Sequence, residues 1–455
     1  MSTPTRTVPV AVAPPRKLEP TTGLVRVLGR WTLTALVLNC IIASGIFGLP
    51  DDVARLLGPA APWAYILGAI GTGIIIAVFA ELASQFCDAG GPYVYARAAF
   101  GPLAGIQTAW FVWLARIASA AAIANVFVSY LGEFWSGITA PVPRAILLCS
   151  IITVLVVINI RGTRQGAGLS NAITIAKLLP LALFIMVGLA LAPRLAPAEL
   201  TSPATTGHWI DALVVLLFAY GGFESAFLPA SEAKNPRRDA PFALLGGLVI
   251  VAGIYLCVHC VAMWSVPNLA HSDRPLADAA RVFAGPAGAK AISIGAMLST
   301  LGGLCAAVIT APRLVYALGE RGDFPRIFAA VHSRFRTPYF AILCWAVCVL
   351  VLALWGNFIW NAVLSVAARL VTYAMSCGAL IQMRRLRPNA DAWRAPAGHL
   401  LAIAGFGFCV LLVVRMNSVH ALIVAAVAAV AAANWLAVRS RLRSSDADRP
   451  MDAPN

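Results

Sequence analysis

Residues 38–50 read Leu-Asn-Cys-Ile-Ile-Ala-Ser-Gly-Ile-Phe-Gly-Leu-Pro, and residues 217–226 read Leu-Phe-Ala-Tyr-Gly-Gly-Phe-Glu-Ser-Ala. Both stretches are apolar and carry small residues at their middle, where a helix is easily interrupted. A helix broken inside a bilayer leaves backbone N–H and C=O groups unpaired, which is tolerated only where they line a cavity. One such break in each half of a chain is typical of the substrate site of a secondary transporter.

The composition places the chain in a membrane. Hydrophobic residues make up 60% of the 455 residues and charged residues 12%, whereas soluble domains carry about 25% charged residues. Apolar segments of about 20 residues, the length that crosses a bilayer, recur about twelve times. The predicted spans are residues 31–50, 60–84, 102–131, 145–160, 169–192, 209–229, 241–265, 288–318, 339–355, 358–382, 399–415 and 419–438.

The formal net charge is +15, and the distribution of the positive residues along the chain predicts the membrane topology. With the N-terminus inside, about 23 Lys and Arg residues fall on the cytoplasmic side and about six outside, as the positive-inside rule requires. The even number of spans places both termini in the cytoplasm, and this distribution accounts for the charge without a nucleic-acid partner. We expect a multi-pass protein of the cell (cytoplasmic) membrane, surrounded by the lipid bilayer.

One membrane domain is expected at residues 23–440. Residues 1–22 are Pro-rich and polar and lack the apolar core of a cleavable signal, and residues 441–455 are polar. Both segments are predicted to be disordered cytoplasmic tails. The first broken helix begins a block of five spans and the second is the sixth span, so spans one to five and six to ten form two inverted repeats, with two further spans added.

Four motifs resemble those of one transporter family, in that family's order. Residues 43–50 resemble the first-helix signature of the amino acid–polyamine–organocation (APC) superfamily, and residues 90–102 its loop between spans two and three. Residues 218–224 and 234–241 are similar to its sixth helix and the following loop, and residues 313–325 to the end of its eighth helix. The resemblance implies an all-α LeuT-like fold of about twelve helices with broken helices 1 and 6. It also implies an amino acid or a related amine as substrate.

The first break is predicted to bind the substrate carboxylate. It contains Ala43, Ser44, Gly45 and Ile46, and the resemblance implies that these positions hold that group. Free N–H groups and the positive end of a half-helix dipole suit an anion. Ser44 adds a hydroxyl donor, and Gly45 allows backbone conformations closed to other residues. The alternative is a close helix–helix contact between small residues.

The second break is predicted to bind the substrate ammonium. It contains Phe218, Ala219, Tyr220 and Gly221. Carbonyl groups left without helical partners here, together with that of Ile41, can accept hydrogen bonds from an ammonium. The resemblance implies that Phe218 closes over the substrate. The alternative for Phe218 is ordinary core packing.

Two charged residues at bilayer depth are candidates for ion coupling. Glu224 follows the second break, where a carboxylate is expensive unless it is paired or protonated. Lys177 lies in the fifth span, where the resemblance implies that its ammonium takes the place of a sodium ion. A desolvated lysine can also carry a coupling proton. The alternatives are an ion pair of Glu224 with Arg116 and a Lys177 that snorkels to the membrane surface. No metal ion or other cofactor is expected.

Arg116 in the third span and Leu304 in the eighth are expected to face the substrate side chain. The resemblance places both positions in the side-chain pocket of arginine/agmatine antiporters, where a guanidinium would repel a cationic substrate. We therefore expect a small or medium neutral amino acid. An Arg116 without a partner would instead favour an acidic or hydroxylated substrate.

Other buried polar residues are expected in ion pairs and gates. Glu81, near the cytoplasmic end of the second span, is predicted to meet Arg97 or Arg161 in an inner gate. Arg369 and Tyr373 of the tenth span are expected in similar contacts.

The sequence thus predicts a secondary active amino acid transporter that works by alternating access with proton-coupled uptake. A sodium-independent exchanger, a carrier of an acidic amino acid or a polyamine, and a transport-inactive membrane sensor are the alternatives. Because no nucleophile triad, phosphate loop or metal-ligand cluster stands out, the sequence does not favour an enzyme. The oligomeric state is left open.

Overall fold

The computed structural model describes residues 29–86, 91–162, 167–192, 204–227, 236–386 and 392–447. For residues 167–177, 226–227, 236–237 and 441–447 the description covers the backbone alone. The described chain is helical and contains no β-strand. Its helices are α1 (Arg30–Ile41), α2 (Gly45–Gly48), α3 (Pro50–Leu57), α4 (Ala61–Gln85), α5 (Pro92–Phe100), α6 (Pro102–Leu131), α7 (Pro141–Arg161), α8 (Ala167–Leu191), α9 (Thr206–Tyr220), α10 (Pro236–Ser265), α11 (Pro275–Glu320), α12 (Tyr339–Trp355), α13 (Phe358–Leu386), α14 (Gly398–Val413) and α15 (Ser418–Ala447).

Within the described ranges, nine helical segments are long and apolar enough to cross a membrane. They are Arg30–Gly48, Pro50–Gln85, Pro102–Leu131, Pro141–Arg161, Thr206–Ser225, Arg238–Ser265, Pro275–Glu320, Phe358–Leu386 and Ser418–Ser440. Three shorter apolar helices, Leu178–Leu191, Tyr339–Trp355 and Gly398–Val413, accompany them. The chain is therefore almost entirely helical with many apolar helices, as a multi-pass membrane protein requires.

Most predicted spans agree closely with the helices. The predicted spans 102–131 and 339–355 coincide with α6 and α12, because a proline or glycine residue lies at or beside each end of these helices, where it can begin or stop a helix. The largest difference is α11, which begins at Pro275, well before the predicted residue 288. The backbone at Gly285 is not helical (φ +68°, ψ −169°), so two helices meet there: the second begins close to the predicted residue 288, and the first occupies a segment that the sequence suggested as a loop.

Both predicted helix breaks are present. Helix α1 ends at Ile41, and residues 42–44 are not helical before the short α2 begins. Helix α9 ends at Tyr220, and Gly221 and Gly222 separate it from a 3₁₀ turn over Phe223–Phe227. Gly222 has a φ of +104°, a conformation that other residues rarely adopt. The glycines therefore end the second helix where the sequence indicated.

The helices around the breaks place them inside the bundle. Helix α1 packs on α10, and α9 packs on α3, α4 and α13. Helix α6 lies at the centre of a second group, against α11, α12 and α13. Because α13 contacts both groups, it brings residues of α6 close to the breaks.

Candidate functional site

The two breaks touch each other through their backbones. A Cβ added at Gly45 would lie 2.8 Å from the Cα of Ala219 and 3.0 Å from its Cβ. A Cβ added at Gly222 would lie 2.5 Å from the carbonyl oxygen of Cys40. Only glycine leaves room for such an approach. The interrupted segments, far apart in sequence, therefore form one structural unit.

Unpaired donors collect at the first break. Among the described residues, no backbone hydrogen bond is donated by the amides of Ser44, Gly45 or Ile46, whereas those of Phe47 and Gly48 both donate to the Ser44 carbonyl. The Ser44 hydroxyl is also buried and has no hydrogen-bond partner. Because buried polar groups in proteins are nearly always hydrogen-bonded, a cluster of unpaired donors is a candidate site for an anionic group.

Carbonyl groups of both breaks converge on one tyrosine. The hydroxyl of Tyr255, on α10, lies 3.2 Å from the carbonyl oxygen of Ile41 and 3.1 Å from that of Ala219. A hydroxyl carries one hydrogen and donates to one oxygen at a time, and each carbonyl oxygen has two lone pairs. Both carbonyls can therefore accept a further hydrogen bond. The sequence reasoning named the two carbonyls and missed Tyr255, a lone polar ring in an apolar span.

The other residues predicted at the breaks are also placed. Phe218 is buried, and its ring lies 5.8 Å from that of Phe358 in an edge-on contact. The hydroxyl of Tyr220 donates to the carbonyl of Tyr65 at 2.9 Å, so Tyr220 contributes only its backbone to the break. Ala43 is half-buried beside the unpaired amides. Contact of these residues with substrate stays a prediction.

Glu224 is fully engaged by residues of α13 and of its own break. The Nη1 atom of Arg369 lies 3.1 Å from its Oε1, outside hydrogen-bond alignment, so this contact is an ion pair. The Tyr373 hydroxyl donates to Oε2 at 3.2 Å, and the Gly222 amide donates to the same oxygen at 3.0 Å. Gly221 leaves the space for this arrangement, since a Cβ there would lie 1.9 Å from Nη1 of Arg369. The ion-pair partner of Glu224 is therefore Arg369 and not Arg116.

Arg116 has no carboxylate partner among the described residues. Its Nη1 atom donates to the carbonyl of Thr310 on α11 at 3.5 Å, and its buried Nε atom has no partner. Helix α6 packs on α13, the helix of Arg369. Arg116 therefore lies on a neighbour of the helix that binds Glu224, without a carboxylate partner of its own among the described residues.

Leu304 and Lys177 are located less directly. Leu304 is fully buried in an apolar cluster of α6, α7, α11 and α12. Lys177 lies on α8, but its side chain falls outside the described residues. Helix α8 packs on α11, where a Cβ at Gly295 would lie 2.7 Å from Pro180. The roles of Leu304 and Lys177 stay predictions.

The predicted partner of Glu81 is wrong. Its fully buried carboxylate accepts from Arg384 Nε at 2.8 Å and Nη2 at 2.7 Å, and from the Ala395 amide at 2.9 Å. This pair ties α4 to α13. Arg97, one of the two arginines that the sequence suggested, is engaged elsewhere because its own carboxylate partner is Asp323.

The Arg97 contact joins α5 to the segment after α11. The Arg97 guanidinium and the Tyr93 hydroxyl both donate to the carboxylate of Asp323. Burial lowers the pKa of Arg97, but the hydrogen bonds to Asp323 and Tyr93 outweigh it and raise that pKa. Burial and the bond to Asp323 raise the pKa of the Tyr93 hydroxyl. Both donors therefore keep their protons, and the contact of Arg97 and Tyr93 with Asp323 is stable at physiological pH.

Comparison with known proteins shows similarity to transporters. Residues 28–437 match the family model described as amino acid permease. A serine/threonine exchanger of Bacillus subtilis (strain 168) is 29% identical over 401 residues, which cover 85% of this chain and 90% of the exchanger. A methylthioribose transporter of the same strain is 26% identical over 405 residues, with 85% and 87% covered. A candidate arginine/ornithine antiporter of Escherichia coli (strain K12) is 28% identical over 375 residues, with 76% and 79% covered.

Proposed function

Because the chain belongs to the amino acid permease family, it is a membrane transporter rather than an enzyme, and we propose that it takes up an amino acid by alternating access. The proposal includes twelve spans in a LeuT-like 5+5 inverted repeat with two added helices. The nine long and three shorter apolar helices of the described chain are consistent with that number. It also includes a place in the cytoplasmic membrane with both termini inside.

The observation that carries the proposal is that unpaired amides and available carbonyls lie close together where the two breaks meet. One side offers the unpaired amides of Ser44, Gly45 and Ile46, and the other offers the carbonyls of Ile41 and Ala219. An amino acid carries a carboxylate and an ammonium bonded to the same carbon, so it can bind the amides with one group and the carbonyls with the other. A broken helix pair at mid-membrane is the usual place for such a substrate in secondary transporters.

Proton coupling is proposed to act through Glu224, with Lys177 as the second coupling residue. Protonation of Glu224 would remove the charge that holds Arg369 and weaken the acceptor for Tyr373. The segment after the second break would then be freer to move against α13. Such a step links proton binding to a change in access.

A sodium-independent exchanger is the second candidate, favoured by the similarity to a serine/threonine exchanger. In that case Lys177 is a fixed cation and one amino acid leaves as another enters. A polyamine or a cationic amino acid fits less well, because Arg116 and Arg369 repel a positive side chain. A transport-inactive sensor or assembly partner would show neither flux nor stabilisation by an amino acid.

Uptake of labelled amino acids into liposomes tests the proposal. Each amino acid is measured with and without an inward proton gradient, and with or without unlabelled amino acid inside. We expect the gradient to accelerate uptake into empty liposomes. We also expect Glu224→Gln to lose that acceleration while Glu320→Gln, at the exposed end of α11, keeps it. Flux only against internal amino acid would establish the exchanger, and the absence of any flux would overturn transport.

A further inference from the structure

We propose that Arg116 binds a carboxylate on the substrate side chain, so that the preferred substrate is an acidic amino acid of the aspartate or glutamate class. The inference rests on the proposed function, because it names the side chain of the amino acid whose backbone is placed at the two breaks. It replaces the neutral substrate that the sequence favoured. From the sequence we expect an acidic or hydroxylated substrate if Arg116 has no partner, and no carboxylate partner is found among the described residues.

The first argument is that Arg116 lacks the anion that a buried arginine needs. Within the described chain its guanidinium makes one hydrogen bond, of 3.5 Å, to a backbone carbonyl, and its Nε atom has no hydrogen-bond partner. By contrast, Arg369 faces Glu224 at 3.1 Å and Arg384 faces Glu81 at 2.7 Å. An arginine does not lose its proton in a protein, so it cannot escape this situation by becoming neutral. A buried charge without a partner is strongly unfavourable.

The second argument is that Glu224 cannot supply the missing charge. Its Oε1 faces Arg369, and its Oε2 accepts from the Tyr373 hydroxyl and the Gly222 amide. Arg116 and Arg369 together carry two positive charges against one negative charge on Glu224. The group therefore keeps one uncompensated positive charge. A zwitterionic neutral amino acid leaves it uncompensated, whereas a side-chain carboxylate balances it.

The third argument is position. Arg116 lies on α6, which packs on α13, the helix that carries Arg369 and Tyr373, the partners of Glu224. The neighbouring Ala115 carbonyl accepts a hydrogen bond of 2.8 Å from Ser365, which fixes α6 against α13 one turn before Arg369. The proposal therefore places the side chain of a substrate held between the breaks beside this guanidinium.

The fourth argument is access. Arg116 keeps some accessible area although it lies near the middle of α6 and contacts α11. The proposal requires this area to face the substrate between the breaks. A guanidinium offers two parallel N–H donors that match the two oxygens of a carboxylate, which a hydroxyl or an amide cannot reproduce.

Transport selectivity tests the inference. Uptake into liposomes is compared for aspartate and glutamate, for their uncharged isosteres asparagine and glutamine, and for serine and threonine. We expect kcat/KM for one of the acids to exceed that of its amide at least tenfold. Arg116→Gln should remove this preference while amide uptake persists, and Arg116→Lys should keep part of it. Arg415→Gln, which loses an exposed arginine paired with Asp211, is the matched control and should keep the full preference.

Several results would overturn the inference. One is equal transport of acids, amides and hydroxylated amino acids by the wild type. Another is an unchanged acid-to-amide ratio in Arg116→Gln. If transport of neutral amino acids required chloride, the anion that pairs with Arg116 would be chloride from the medium and not a carboxylate of the substrate. Absence of flux for every compound would overturn the proposed function rather than this selectivity.

A binding measurement on the wild type keeps the inference testable if the variant does not fold or if no flux is seen. Aspartate or glutamate should raise the melting temperature of the purified protein at concentrations where asparagine and glutamine do not. Equal shifts for acids and amides would contradict the role of Arg116, because binding would then ignore the side-chain charge.

Discussion

Replacing Gly45 with alanine tests the contact on which the site depends. The added Cβ would lie 2.8 Å from the Cα of Ala219 and 3.0 Å from its Cβ. Carbon atoms pack about 3.5–4.0 Å apart, so the broken helices must separate by about 1 Å. The clash is with backbone and a short methyl group, so no side-chain rotation relieves it. Overpacking of this kind costs about 1–3 kcal/mol of folding stability.

The same separation should weaken substrate binding. Moving the amides of the first break away from the carbonyls of the second removes about one hydrogen bond to a charged group, worth about 1.5–3 kcal/mol. We therefore expect the affinity to fall about tenfold to a hundredfold. Binding of a labelled amino acid to the purified Gly45→Ala protein, together with its thermal unfolding, measures both effects.

Gly253→Ala provides the control for this experiment. Gly253 lies on α10, and a Cβ there meets no atom within 4 Å. The substitution should keep the affinity and add up to about 1 kcal/mol of stability, since alanine favours a helix more than glycine does. A Gly45→Ala protein with the affinity and stability of the wild type would refute the close contact of the breaks.

Three further substitutions test the surrounding contacts. Tyr255→Phe should lower stability by about 1 kcal/mol and weaken amino acid binding several-fold, because the break carbonyls lose a shared donor; unchanged binding would remove Tyr255 from the site. Asp323→Asn should weaken the contact with Arg97 and so speed up amide hydrogen exchange in α5; unchanged exchange would show that this contact does not hold α5 in place. Glu81→Gln should destabilise the protein by about 3–5 kcal/mol, because Arg384 loses its buried anion; a melting temperature equal to that of the wild type would show the pair to be unimportant.

The helix breaks could be predicted because their causes are local. Gly222, directly after the second helix, adopts a φ of +104°, and small residues mark both stretches in the sequence. Helix α1 ends at Ile41 and α9 at Tyr220, inside the stretches that the sequence indicated. The ends of the two helices agree with the sequence pattern because they are set locally, whereas the close contact of Gly45 with Ala219 depends on the fold.

The partners of the buried charges could not be predicted, because they depend on how helices pack. Glu81 and Arg384 are 303 residues apart, and the sequence offered Arg97 and Arg161 as other partners for Glu81. Likewise, the sequence placed both Arg116 and Arg369 inside predicted spans, and only the packing of α13 against α9 assigns Arg369 to Glu224. This assignment changed the expected substrate, because it left Arg116 without a carboxylate.

A cryo-EM structure with a transported amino acid bound tests the central claim most directly. We expect the substrate carboxylate on the amides of Ser44, Gly45 and Ile46, and the ammonium against the carbonyls of Ile41 and Ala219. An amino acid bound away from both breaks, or these amides hydrogen-bonded to other protein groups in the bound state, would contradict the account.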